Sequence, residues 1–100
     1  MPKAYVILTE AIRDRAVMRE YEKASTPPLL KYHGTVLAAT EDGETVEGEW
    51  HGTRTVLVEF ASVEAARAWY ESPEYQAAKP LREKAADCNV VIVPGFEFGR

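Results

Sequence analysis

An α+β fold of element order β-α-β-β-α-β is what this 100-residue sequence predicts, on three observations. Four short segments, at positions 4–9, 35–40, 54–60 and 89–93, are rich in β-branched and aromatic residues and read as strands. Two longer stretches between them carry apolar residues at helical spacing. Short connections and this order lay the strands in one antiparallel sheet with the helices on one face.

Each element has its own signals. Residues 4–9 (AYVILT) form the first strand; with one lysine, a short apolar run and no small-residue cleavage site, the N-terminus reads as that strand and not as a signal peptide. Asp14 caps a helix in which Val17, Met18, Tyr21 and Ala24 fall at helical spacing as one amphipathic face. Pro27 and Pro28 lack the donor that would continue it, so it should break or bend there. Leu29, Leu30 and Tyr32 then add a further turn, which Gly34 closes as a left-handed cap. Residues 35–40 are the second strand, and Asp42-Gly43 marks a tight hairpin turn. A second loop, residues 48–53, carries Trp50 and His51 before the third strand at 54–60 (RTVLVEF). Ser62 caps the next helix with Glu64 in its first turn, and Ser72-Pro73-Glu74 repeats the start signal for another. Pro80 should end or kink that second part and open a fresh segment with Leu81, Arg82 and Ala85. Residues 89–93 are the last strand, stopped by Pro94-Gly95, and the tail 96–100 alternates aromatic and polar residues. The result is a ferredoxin-like sandwich, a single domain over residues 1–100.

The strands make a further demand. Tyr5 to Leu8, Val56 to Val58 and Val90 to Val93 are apolar at successive positions, hence on both sheet faces. Helices cover only one face, and the other would leave a larger apolar patch than soluble monomers tolerate. Two copies stacking sheet on sheet about a two-fold axis, a homodimer, resolves this.

Composition narrows the partners. A formal charge of −4 lacks the basic stripe that nucleic acid or an anionic membrane would need. No apolar run approaches the roughly 20 residues of a membrane span. The lone cysteine, Cys88, has no intrachain partner and fits a reducing cytoplasm.

The run 59–87, EFASVEAARAWYESPEYQAAKPLREKAAD, resembles the domain of unknown function 1330 family in its Glu59-Phe60 strand end and Trp69-Tyr70 helix end. Ser72-Pro73-Glu74-Tyr75 and the Leu81-Arg82 pair complete that match. Tyr5, Tyr21, Pro28, Lys31-Tyr32 and Glu47-Gly48-Glu49-Trp50 extend the resemblance over nearly the whole chain. The sequence departs from it at His33, where glycine is common, and at Cys88, where a small or polar residue is expected. The resemblance implies a dimeric α/β barrel and leaves the activity open.

Several residues suggest chemistry. Trp69 and Tyr75 flank the corner at Ser72 and either wall a pocket for a planar molecule or pack the helices onto the sheet. Arg82 has the two-pronged geometry to hold a carboxylate, or pairs with Glu74, Glu59 or a partner-chain acid. Glu59 falls on the face opposite Val56, Val58 and Phe60, where it is a candidate general base or a salt-bridge partner of Arg54 or Arg82. His33 and His51 show no metal-ligand spacing, so no metal is expected; His33 also suits a helix C-terminus as a cation. Cys88 reads as a structural thiol. No phosphate loop, nucleophile elbow or dinucleotide fingerprint is present, and no cofactor is expected.

These features support a small homodimer that binds an aromatic or carboxylate-bearing ligand in a cleft between sheet and helices, without turnover. The alternatives are a cofactor-independent enzyme, monooxygenase- or isomerase-like, as the resemblance to that superfamily implies, and a purely structural dimer. In the enzyme, Glu59 or His33 would be the base, Arg82 the anion anchor, and Tyr5, Trp69 and Tyr75 the walls.

Overall fold

The computed structural model of the chain describes residues 2–97. Its elements are β1 (Ala4–Ile12), α1 (Arg15–Lys31), β2 (Thr35–Thr40), β3 (Arg54–Phe60), α2 (Val63–Glu71), α3 (Pro73–Ala85) and β4 (Ala86–Pro94). The strands form one antiparallel sheet in the order β2-β3-β1-β4, the ferredoxin-like arrangement. Among the described residues no helix is long and apolar enough to cross a membrane.

Strand parity divides the sheet into two faces. Ala4, Val6, Leu8 and Glu10 of β1 and Val56, Val58 and Phe60 of β3 face the helices, with Ala86, Cys88, Val90 and Ile92 of β4 beside them. The helices bury Val17, Met18, Tyr21, Ala66, Trp69, Tyr75 and Ala78 against this face. Trp69 is the hub: its ring lies 4.4 Å from Tyr75 and 5.4 Å from Phe60, centroid to centroid. Each such buried aromatic contributes about 1.5–3 kcal/mol. On the opposite face, Tyr5, Ile7, Leu57, Val91 and Val93 share neighbouring register positions with no helix over them. Val91 and Val93 stay 50% and 37% exposed, so the sheet is apolar on both sides.

The local capping signals act as expected. Asp14 accepts from the amides of Ala16 and Val17, and Ser62 from that of Ala65. Buried Ser72 ends α2 and caps α3 through the Tyr75 amide at 3.1 Å. The helix pair is thus welded at one residue.

Several boundaries differ from expectation. Helix α1 is not broken at Pro27-Pro28 but runs on to Lys31, while the Thr26 hydroxyl folds back to the Glu22 carbonyl at 2.7 Å. Helix α3 likewise passes through Pro80, whose exposed position leaves the unbonded carbonyl to water. His33, not Gly34, is the left-handed residue after α1, at φ 62°. Gly34 is required for space instead: a Cβ there would lie 2.4 Å from Leu29 Cδ1 and 2.8 Å from Phe60 Cζ. Asp42-Gly43 makes no tight hairpin, because β2 and β3 pair at Thr40↔Thr55 and residues 41–53 form a long connection.

That connection is anchored to the open end of the sheet. The Thr53 amide donates to the Glu10 carbonyl at 2.7 Å, Trp50 Nε1 to Thr55 Oγ1 at 2.9 Å, and His51 Nδ1 meets Thr9 Oγ1 at 2.7 Å. β1 and β4 also run further than the sequence suggests, to Ile12 and from Ala86. Of the tail, residues 98–100 lie outside the described residues, and Phe96 is exposed.

Candidate functional site

A cleft of about 260 Å³ opens between the helix-facing side of the sheet and the helices. Leu8, Leu29, Val56 and Trp69 make its apolar walls, and Glu10, Glu22 and Arg54 supply charge. For scale, a cavity of about 150 Å³ suffices for benzene.

Glu10 is the unusual member. It continues the inward series Ala4, Val6, Leu8 and is fully buried, the one acid in the described core. Directly across the ladder stands Arg54, whose Nε donates to Glu10 Oε1 at 2.9 Å while its Nη1 bonds Glu22 of α1. One guanidinium thus bridges strand and helix acids. Among the described residues Glu10 Oε2 has no hydrogen-bond partner, and it is closed off from solvent. Burial pushes the Glu10 carboxyl above its ordinary range, and the Arg54 charge only partly opposes this.

Tyr21, which itself lines the cleft, shares through its OH a buried hydrogen bond of 2.8 Å with Tyr75 OH. Burial raises both phenols, so both stay neutral at physiological pH. Trp69 Nε1 is a further buried donor without a partner.

The residues singled out by sequence are distributed over four places. Trp69 lines the cleft, and Tyr75 packs directly against it but is wholly buried behind Tyr21. Arg82, also buried, lines a separate depression between α3 and β4. Tyr5 and Glu59 are cross-strand neighbours on the opposite, open face. There Glu59 pairs with Lys3 of its own chain at 3.1 Å, and neither Arg54 nor Arg82 is its partner. His33 is exposed at the end of α1. Glu74, the other acid considered for Arg82, bonds Lys31.

Sequence reasoning missed Glu10, Glu22 and Arg54. The available signal was strand parity: extending β1 three residues past Thr9 places Glu10 in phase with Val6 and Leu8, opposite Arg54. Among the described residues no three His, Cys, Asp or Glu side chains gather as a metal site.

Solved structures share this fold. A Rhodopseudomonas palustris protein of unknown function superposes with a TM-score of 0.77 at 17% identity, over 96% of this chain and 84% of that one. A Bacteroides fragilis protein described as dimeric, ferredoxin-like and of unknown function gives 0.62 at 15% identity, covering 93% and 96%. A Caulobacter crescentus protein, provisionally described as an antibiotic biosynthesis monooxygenase, gives 0.63 at 17% identity, covering 96% and 92%. At such identities the likeness is one of fold. No curated protein matches the sequence. Residues 3–96 match the domain of unknown function 1330 (DUF1330), and the chain belongs to that family.

Proposed function

We propose that the protein binds a small, neutral, largely aromatic molecule in the cleft between sheet and helices, held by a hydrogen bond to Glu10. The observation that carries this reading is a buried carboxylate with one unpartnered oxygen beside an apolar cavity. Interior polar atoms are nearly always bonded, so a ligand O–H or N–H that enters as the cleft lining shifts to uncover Oε2 completes what the protein leaves open. A carboxylate-bearing ligand fits this cleft less well, because Glu10 and Glu22 already share the one guanidinium there.

The homodimer belongs to the same proposal. It is supported by the apolar open face and by dimeric relatives of the same fold. Cys88 as the lone cysteine suits a reducing compartment such as the cytoplasm.

Calorimetry with phenol and indole as probes tests the binding. Ala39 lines the cleft on an edge strand and is exposed, so Ala39→Trp fills the mouth without disturbing the core. Binding lost in Ala39→Trp supports the reading; unchanged binding overturns it.

A second reading, proton transfer by a cofactor-independent enzyme, is favoured by the burial-raised carboxyl of Glu10. In that case Glu10, inside the cleft, is better placed as the base than Glu59 or His33 outside it. Turnover that disappears in Glu10→Gln while the fold stays intact would establish it.

A further inference from the structure

The second depression, between α3 and the edge strand β4, has the opposite character. Its volume is about 400 Å³, and Arg13, Tyr70, Lys79, Arg82, Asp87 and Cys88 are among its lining residues. Arg82 is only 4% exposed; its guanidinium meets the Tyr75 hydroxyl and the Cys88 thiol, while among the described residues its Nε is buried without a partner. Among the described residues no carboxylate forms an ion pair with it. Glu10, directly across the β1–β4 ladder from Cys88, exerts a field on Arg82, but makes its own ion pair with Arg54. A buried guanidinium without a carboxylate in direct contact is costly, and proteins normally pair such groups.

We propose that this depression binds the carboxylate of a small organic acid, with Arg82 as its buried anchor and Lys79 at its rim. Arg82 supplies planar donors matched to a carboxylate. Among the described residues Lys79 makes no ion pair, and it lies 5.5 Å over the Tyr70 ring, where that ring offers an apolar wall beside the charge. The negative end of α3, which would repel an anion, is already covered: Arg13 Nη2 donates to the Glu83 carbonyl at 2.8 Å, and its backbone amide to Ala85 O at 2.8 Å. Formal charge selects the ligand class. Three cations (Arg13, Lys79, Arg82) against two acids (Glu83, Asp87) leave one positive charge, which suits a monoanionic carboxylate better than a phosphate dianion. Both acids are exposed and hence screened by water, whereas the Arg82 charge is not.

Cys88 gives the site its own reporter. It lines the same depression and is the only cysteine in the chain. Alkylation of the full-length protein by iodoacetamide, at fixed pH and ionic strength, therefore reads occupancy of this depression. Benzoate or acetate should slow the reaction saturably, relative to chloride, and phosphate should not. Lys79→Ala, a rim change that leaves the core intact, should weaken the protection about threefold, the scale of one exposed charge. Arg82→Gln should abolish it; if that variant does not fold, Lys79→Ala and the choice among anions still decide the matter. Equal effects of all anions at matched ionic strength, protection by phosphate alone, or carboxylate protection untouched by Lys79→Ala would overturn the proposal.

Discussion

A carboxylate taken out of water costs several kcal/mol unless partners replace the lost hydration, and Glu10 has a partner on one oxygen only. Because burial raises its folded-state pKa above that of an unfolded carboxylate, its contribution to stability is fully present below the unfolded value. It is lost as pH rises through the raised value. Wild type should therefore lose stability relative to Glu10→Gln between about pH 4 and pH 7, which denaturant midpoints at the two pH values will show. An unchanged difference would mean that Glu10 titrates normally. The Tyr21–Tyr75 pair makes a second prediction at this scale. Tyr75→Phe leaves Tyr21 OH buried and unbonded, costing about 1–3 kcal/mol, and the double change to Phe should cost less than the two singles summed. Trp69, Tyr75 and Arg82 were legible as important because large aromatics and a lone arginine stand out beside a helix corner. Glu10 was not, because a polar residue near a strand end reveals its direction only once the strand's length is known.

At the scale of elements, the sequence is most readable where a residue has one local job. Ser72 is such a case: its hydroxyl bonds both the Trp69 carbonyl and the Tyr75 amide, so Ser72→Ala should cost about 1 kcal/mol, measurable by urea denaturation. The prolines were less readable because their effect depends on what surrounds the missing donor. Pro27 and Pro80 are exposed, and helix packing carries the chain through both, overriding a purely local penalty. Gly52 illustrates a constraint that only tertiary structure reveals. Its φ of 87° and a would-be Cβ 2.6 Å from the Glu10 backbone carbon lock the 41–53 connection onto β1. Gly52→Ala should therefore destabilise by about 1–3 kcal/mol, more than Gly43→Ala, where nothing lies within 4 Å. Equal midpoints for the two variants would show that this loop does not seat on the strand.

Across the whole molecule, one sheet serves two purposes. Its helix-facing side builds the core and the cleft, and its open side carries the apolar surface proposed to meet a second copy. Fold class and the two-sided apolar sheet were legible because both follow from strand content, and patterning is a property of the chain. The site was legible only as a region, since its chemistry arises from a cross-strand register that joins Glu10 to Arg54 over forty-odd residues. Val91→Glu on the open face should shift the chain towards a monomer in native mass spectrometry, without closing the cleft, because the two lie on opposite faces. The cleft itself is tested most directly by an NMR titration of the protein with phenol. Binding between sheet and helices predicts saturable shifts of the Trp69 indole N–H and the Leu8 and Val56 methyls, reduced in Glu10→Gln. Shifts confined to Tyr5, Leu57 and Val91 of the open face, or no saturable shift at all, would contradict it.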